Sequence, residues 1–427
     1  PYKTDIETMT QSELFEILAN GENSFIEFKR DDVKPQDLAK ECVALANTAG
    51  GRILLGVEDN GEISGTTRGV GETERWVMDT VFGKYIHPVI IPLYEELAMA
   101  DGKRVGVITI ASGISKPYYR LLNEREEPYI RIGTLSKLAT REQQLRLLES
   151  SGLLYVEKLP ISGTSMRDLD ARRFKDFTKR FYDEQIDSVS NEELAERMLM
   201  LDILHKTETS QLHATIVGLL LFGNRPARYL PQAGVRIIVY RGEEPDYDTM
   251  SDEVLDAPLV ELRREGENDE QTPNIMEKDF FSIIVERLQP FISHERVAEG
   301  AITRERVWDY PPIVLREALV NAFAHRDWTK ANQNRIEVFS NRMEITSFGG
   351  LPNTLTLEKI KRGQQYPRNP LLIRALRYYG YIDDRGMGIR RKIIPEMLKY
   401  SAQEPIFEIT EDFVKLILLK RISSLFT

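Results

Sequence analysis

The stretch Gly21–Gly65, GENSFIEFKRDDVKPQDLAKECVALANTAGGRILLGVEDNGEISG, constrains the fold of this chain more than any other. Ser24, Ile26 and Phe28 alternate with Phe25, Glu27 and Lys29, the period of a half-buried strand. Residues 36–48 then read as a helix with Leu38, Cys42, Leu45 and Ala46 on its apolar face. Ala49-Gly50-Gly51 is expected to end it, because glycine accepts the positive φ of a helix C-cap. Ile53–Val57 is a second strand, and Asn60-Gly61 predicts a type I′ hairpin turn, whose two central residues both need φ > 0. The unit gathers Glu22, Glu27, Lys29 and Asp59 where its strands end.

At 427 residues the chain exceeds one ordinary core and should divide into two or three domains. The boundaries expected are 1–155, 156–300 and 301–427. No apolar run approaches the roughly 20 residues that span a bilayer, so no membrane partner is expected. The single Cys42 excludes an intrachain disulfide and fits a reducing cytoplasm, where the protein is expected to reside. A net charge of −10 argues against indiscriminate coating of nucleic acid, and leaves room for a local basic groove.

Further along, residues 6–20 and 69–85 read as helices, and 89–95, 105–111 and 129–132 as strands. Lys116-Pro117-Tyr118-Tyr119-Arg120 and Tyr129-Ile130-Arg131 interleave cations with aromatics, and Lys137 follows. With Lys29 and Arg30 they form a candidate nucleic-acid surface, aromatic faces stacking on bases and cations meeting phosphates. Residues 155–167 lack periodicity and read as a linker, and the acid-rich 241–275 as a surface loop. Ser190 with Glu193 is close to a capping box ahead of a helix over 191–201.

In the segment VLREALVNAFAHRDW, Glu317, Asn321 and His325 recur every fourth residue. On a helix they fall in one stripe about 80° wide. A Mg-ATP site on a helix needs such a pair: Glu317 as base for water and the Asn321 oxygen as Mg²⁺ ligand. Gly349-Gly350 and Arg385-Gly386-Met387-Gly388 add loops whose N–H groups can cradle phosphates.

Two resemblances stand on these residues. IEFK, ANTAGG and LLGVEDNG, with the basic-aromatic stretch, resemble the AlbA-type module of the Schlafen family over about residues 5–155. The helix stripe and glycine loops resemble the N-box and glycine motifs of the GHKL ATPases over about residues 300–420, in the variant found after AlbA-type modules in bacterial proteins labelled RecG-like helicases or transcriptional regulators. Ser347-Phe348-Gly349-Gly350 stands where that superfamily has Asp-x-Gly-x-Gly, so the aspartate that reads adenine is missing, and no Walker A motif supports a helicase.

Together they imply an α+β protein: an N-terminal Schlafen/AlbA-like mixed domain, a connecting region and a C-terminal GHKL-like α/β sandwich. The expected function is nucleic-acid binding regulated by ATP, bound at Asn321, His325, Gly349, Gly350, Arg385, Gly386 and Gly388 as a conformational or assembly switch, in a homo-oligomer. Whether ATP is hydrolysed, and whether RNA or DNA is bound, stays open. The rival is a Schlafen-like endoribonuclease, of use in antiviral defence, holding Mg²⁺ or Mn²⁺ through Glu22, Glu27 and Asp59 with Lys29 beside them. A third alternative is a non-catalytic oligomeric scaffold.

Overall fold

The computed structural model describes residues 9–152, 154–182, 189–263, 275–297, 304–351, 357–362, 367–382 and 388–421. The chain forms two compact units, Pro1–Leu154 and Tyr155–Thr427. Of the described residues 38% are helical and 27% are in strands, which makes this an α+β protein.

In the first unit, α1 (Gln11–Asn20) starts at Thr10, whose hydroxyl accepts the Glu13 N–H at 3.2 Å. Then come β1 (Ile26–Lys29), α2 (Pro35–Asn47), β2 (Gly50–Leu55), β3 (Leu93–Ala98) and β4 (Arg104–Ala111). The sheet order is β1-β2-β4-β3, parallel only between β1 and β2. α2 buries Leu38, Cys42, Leu45 and Ala46 against Ile53 and Ile108 of the sheet, each without exposed surface. Each large aliphatic side chain buried this way contributes about 1.5–3 kcal/mol, so this face fixes the unit's core. A hairpin of β5 (Tyr129–Ile132) and β6 (Leu135–Leu138) packs beside α2.

Two local expectations are corrected. The glycines after α2 are not its cap; they open β2, with φ +81° at Gly50 and φ +159° at Gly51. A Cβ on Gly51 would stand 2.3 Å from the Phe25 carbonyl oxygen, so close backbone approach selects glycine there. At Asn60-Gly61 only Gly61 has positive φ, and its N–H donates to the Glu58 carbonyl at 2.8 Å. The turn is therefore type I closed by a glycine bulge, not type I′.

In the second unit α3 (Ile216–Phe222) is buried throughout and ends at Gly223. The central sheet contains β7 (Val235–Tyr240), β8 (Thr249–Leu255), β9 (Asn334–Val338), β10 (Arg342–Phe348), β11 (Ile406–Ile409) and β12 (Phe413–Leu419). Their order is β8-β7-β9-β10-β12-β11, with β7 and β9 parallel and every other pair antiparallel. Between β7 and β9 in sequence lies α4 (Pro312–Ala324), which packs on β10; α5 (Pro370–Tyr378) follows the sheet's first four strands.

The acid-rich segment 241–275 is not wholly a loop, because Thr249–Leu255 is edge strand β8. Its charges suit an edge, where they discourage pairing with other chains. Arg236 of β7 grips Asp252 through two bonds, 2.9 and 2.7 Å. Nor is 155–167 a free linker: Val156, Glu157 and Thr164 are buried, and Pro160 bridges to Thr215. The helix Asn191–Met200 does begin with the full capping box of Ser190 and Glu193.

Candidate functional site

The first-unit cluster is a buried ion network. Glu27 is 5% exposed, and its two oxygens accept from Lys29 and Arg131. Arg131 also reaches Glu41 at 3.0 Å and the carbonyls of Asn23 and Ile26 at 3.1 and 3.4 Å. Burial pushes the Glu27 carboxyl above its ordinary range; the Lys29 hydrogen bond pulls it down and the Glu41 charge pushes it further up. Glu22 is half-buried and accepts the Phe28 N–H at 2.7 Å.

Asp59 is exposed in the turn. Parallel pairing sets Glu27 opposite Ile53 and Lys29 opposite Leu55, so residue 59 lies beyond the end of the paired strands. Among the described residues no group of three His, Cys, Asp or Glu side chains is placed to hold a metal ion. The set Glu22, Glu27 and Asp59 is thus not brought together: its central carboxylate is neutralised by an arginine that sequence spacing did not connect to it.

The basic-aromatic stretch divides in two. Lys116 is 3% exposed and donates to the Thr48 carbonyl at 2.7 Å and Ser112 at 3.0 Å, and burial pushes its ammonium down to about 8. Tyr118 is buried, with its backbone N–H held by Asn47 at 2.7 Å. Arg120 is buried against Glu127 and the Tyr129 ring, and Arg131 sits in the network above. These four are framework side chains. Arg30 and Lys137 are exposed, and Lys29 and Tyr119 half-exposed, so these four remain at the surface.

The second unit contains a cavity of about 240 Å³ over α4. α4 forms here because Leu315, Leu319 and Phe323 repeat at helical spacing and are each 1% exposed. Its other stripe faces the cavity: Glu317, Asn321 and His325 all line it, with Gly349, Gly350 and Gly388. Arg385 and Gly386 lie outside the described residues.

Glu317 is 5% exposed, accepts from Asn321 at 3.3 Å, and pairs with Lys392 at 3.0 Å. Lys392 comes from a π-helical turn, Ile389–Ile393, that also sends Arg390 and Ile393 to the cavity. A Cβ on Gly388 would fall 1.7 Å from the Glu317 oxygen, so any side chain there would have to displace the carboxylate from its place beside Asn321. Gly349, at φ +110°, likewise leaves no room for a Cβ beside Asp327.

His325 presents surface to the cavity, yet protein atoms crowd its ring, and this desolvation, with Arg368 nearby, pushes its pKa down to about 4. Ser347 also lines the cavity, and its hydroxyl donates to the Ala322 carbonyl at 2.6 Å, closing the end of α4. Ile345, Phe407, Ile409, Val414 and Leu416 make an apolar wall from the sheet, while Arg368, Arg377 and Arg390 set three cations opposite the single carboxylate Glu317 among the described lining residues. An apolar face plus a cationic edge suits a flat ring system carrying an anionic tail. These cations and Lys392 are not among the motif residues of the sequence; the signal for Arg390 and Lys392 is the run Arg390-Arg391-Lys392, separated from Gly388 by Ile389 alone.

Each unit holds one stretch with known counterparts. Residues 22–140 match the family model described as Schlafen, AlbA_2. Residues 332–418 match the one described as "Putative ATP-dependent DNA helicase recG C-terminal". Among solved structures, the DIP2311 protein from Corynebacterium diphtheriae is 18% identical, covering 96% of this chain and 80% of that one, with a TM-score of 0.42. The "N-terminal Domain of Putative ATP-dependent DNA Helicase RecG-related Protein" from Nitrosomonas europaea is 20% identical, covering 30% of this chain and 89% of that one, with a TM-score of 0.23. No curated protein matches the chain. The chain thus combines a Schlafen AlbA_2-type segment with a RecG-like ATPase-type segment, a pairing that points to a nucleic-acid-related, ATP-binding function. No helix among the described residues is long and apolar enough to cross a membrane.

Proposed function

We propose that this chain is a nucleic-acid-binding regulator whose GHKL-like cavity binds ATP as a conformational or assembly switch. One observation carries it: the Glu317–Asn321–His325 stripe and the glycines 349, 350 and 388, more than twenty residues apart in sequence, line one cavity together with three arginines. The residues present fit the ligand. The sheet wall accepts a base by its face, the arginines meet phosphate charge, and glycine lets the backbone come close. The Asn321 oxygen would hold Mg²⁺, which would screen phosphate charge when bound, with Glu317 beside it as the base for water. Exposed Arg30 and Lys137 are the cations through which the first unit would meet RNA or DNA.

Fluorescent ATP titrated into the wild type and Asn321→Ala tests the cavity. Binding should weaken at least tenfold, about 1.4 kcal/mol, in the variant. Retardation of labelled RNA and DNA with and without ATP then tests the switch. A wild-type protein whose nucleic-acid affinity and oligomeric state both ignore bound ATP is no switch.

A further inference from the structure

Helix α5 begins without a cap of its own. Its N-cap residue, Asn369, is 1% exposed, and its amide donates backwards to the carbonyls of Ala324 at 3.0 Å and Arg326 at 2.8 Å. The side chain is thus spent on closing the end of α4. Pro370 stands at the first helical position and has no N–H. The next two N–H groups, of Leu371 and Leu372, donate to the two oxygens of Glu157 at 2.7 and 2.8 Å.

Glu157 lies 214 residues before Leu371 and has no exposed surface. It belongs to the short turn Val156–Lys158, at the opening of the second unit, which starts at Tyr155. The charges that face it are Lys158, drawn off to Asp202 at 2.9 Å, and Arg374 of α5. A carboxylate in this place satisfies orphan donors and complements the helix dipole.

α5 is a wall of the ligand cavity. Ile373 and Arg377 line it from the helix, and Arg368 from the segment leading in. We propose that Glu157 is a positioning residue of the cavity: by clamping the start of α5 it sets Arg368 and Arg377 for an anionic ligand, and so fastens the opening of the second unit to the ligand site. This rests on the cavity being a nucleotide site. Coupling of this kind is reciprocal, so a bound anion tightens the clamp as the clamp tightens the anion.

The test uses the full chain, with Mg-ATP titrated calorimetrically into wild type, Glu157→Gln and Glu157→Asp at pH 6 and pH 8. Gln keeps the volume but turns an N–H₂ toward one of the two helix donors. At pH 8 it should bind ATP about tenfold more weakly, with Asp in between. Burial pushes the Glu157 carboxyl up to about 7. The gap between wild type and Glu157→Gln should therefore close at pH 6, where the protonated carboxyl resembles the amide. The nucleotide's own titration is common to both proteins and cancels, and a merely structural role would leave the gap independent of pH.

Equal affinities at pH 8 overturn the inference. A wild type that binds no ATP overturns the nucleotide site instead. If Glu157→Gln does not fold, amide exchange at Leu371 and Leu372 in the wild type decides. ATP should slow it, and unchanged exchange overturns the clamp.

Discussion

Arg131→Met separates a structural arginine from a nucleic-acid contact. The wild-type guanidinium joins Glu27 to Glu41, and the three side chains are 1%, 6% and 7% exposed. Met fills similar space but leaves two buried carboxylates facing each other, with Lys29, Lys40 and the Ser136 hydroxyl still bonded to them. Breaking a buried pair from one side costs about 3–5 kcal/mol. For a unit of about 150 residues each kcal/mol lowers Tm by about 2–4 °C, so the expected fall is about 6–20 °C. Calorimetry of the full chain measures it, and fluorescence of Trp76, the first unit's tryptophan, assigns the transition. The loss should also depend on pH. The folded Glu27 already holds its proton more tightly than the unfolded one, so its contribution is present at acid pH and lost as pH rises through the raised pKa. Without Arg131 that pKa rises further, and the variant's deficit should be larger at pH 8 than at pH 5. An unchanged Tm with loss of nucleic-acid binding would refute the reasoning and return Arg131 to the surface.

The exposed cations behave differently. Arg30→Glu and Lys137→Glu should leave Tm unchanged and weaken RNA or DNA binding regardless of sequence, each lowering the salt slope by about one, as read by anisotropy at several salt concentrations. Gly388→Ala drives a methyl into Glu317, an overpacking of about 1–3 kcal/mol, and ATP titration should show binding lost while circular dichroism stays that of the wild type. His325 is held neutral in the fold, its pKa pushed down to about 4, whereas the unfolded imidazole titrates near its ordinary value of about 6.5. The stability that follows is complete above that value and lost as pH falls toward 4, so His325→Gln should flatten the acid limb of a Tm-against-pH curve.

Periodicity made α2 and α4 legible, because large apolar residues recur at helical spacing, Leu38, Cys42 and Leu45 in one and Leu315, Leu319 and Phe323 in the other, although both helices are buried on most of their faces. Strand β8 was hidden for the opposite reason. Thr249–Leu255 alternates in burial, but its residues are mostly polar and β7 is the only strand beside it among the described residues, so no apolar period betrays it. The turn at Asn60-Gly61 differs from the expected type I′ because the dipeptide is shared by two turn types. The choice lies in whether Asn60 itself takes positive φ, which depends on the loop length that the pairing of Val57 with Ile63 leaves.

At the sites, what sequence could not give is which charge meets which. Glu27 and Lys29 are two residues apart and their pairing follows from strand geometry, but Arg131 arrives from a hairpin more than 100 residues away. That arrival changes the chemistry, because the Glu27 charge that would attract a metal is already offset by a cation on each oxygen. Asn47 of the ANTAGG turn shows the same effect. Its amide donates to the carbonyls of Tyr118 and Tyr129 at 2.8 Å each, and so ties the basic-aromatic strands to α2 rather than to a ligand. The helix stripe of α4 escaped that fate for a physical reason. Its carbonyl end is closed by Asn334, Ser347 and Asn369, side chains from three other elements, so Asn321 and His325 are not needed as caps and are left facing the cavity. Polar residues at helical spacing mark a site when the backbone around them is satisfied by others, and that condition is met at Asn321 and not at Asn47.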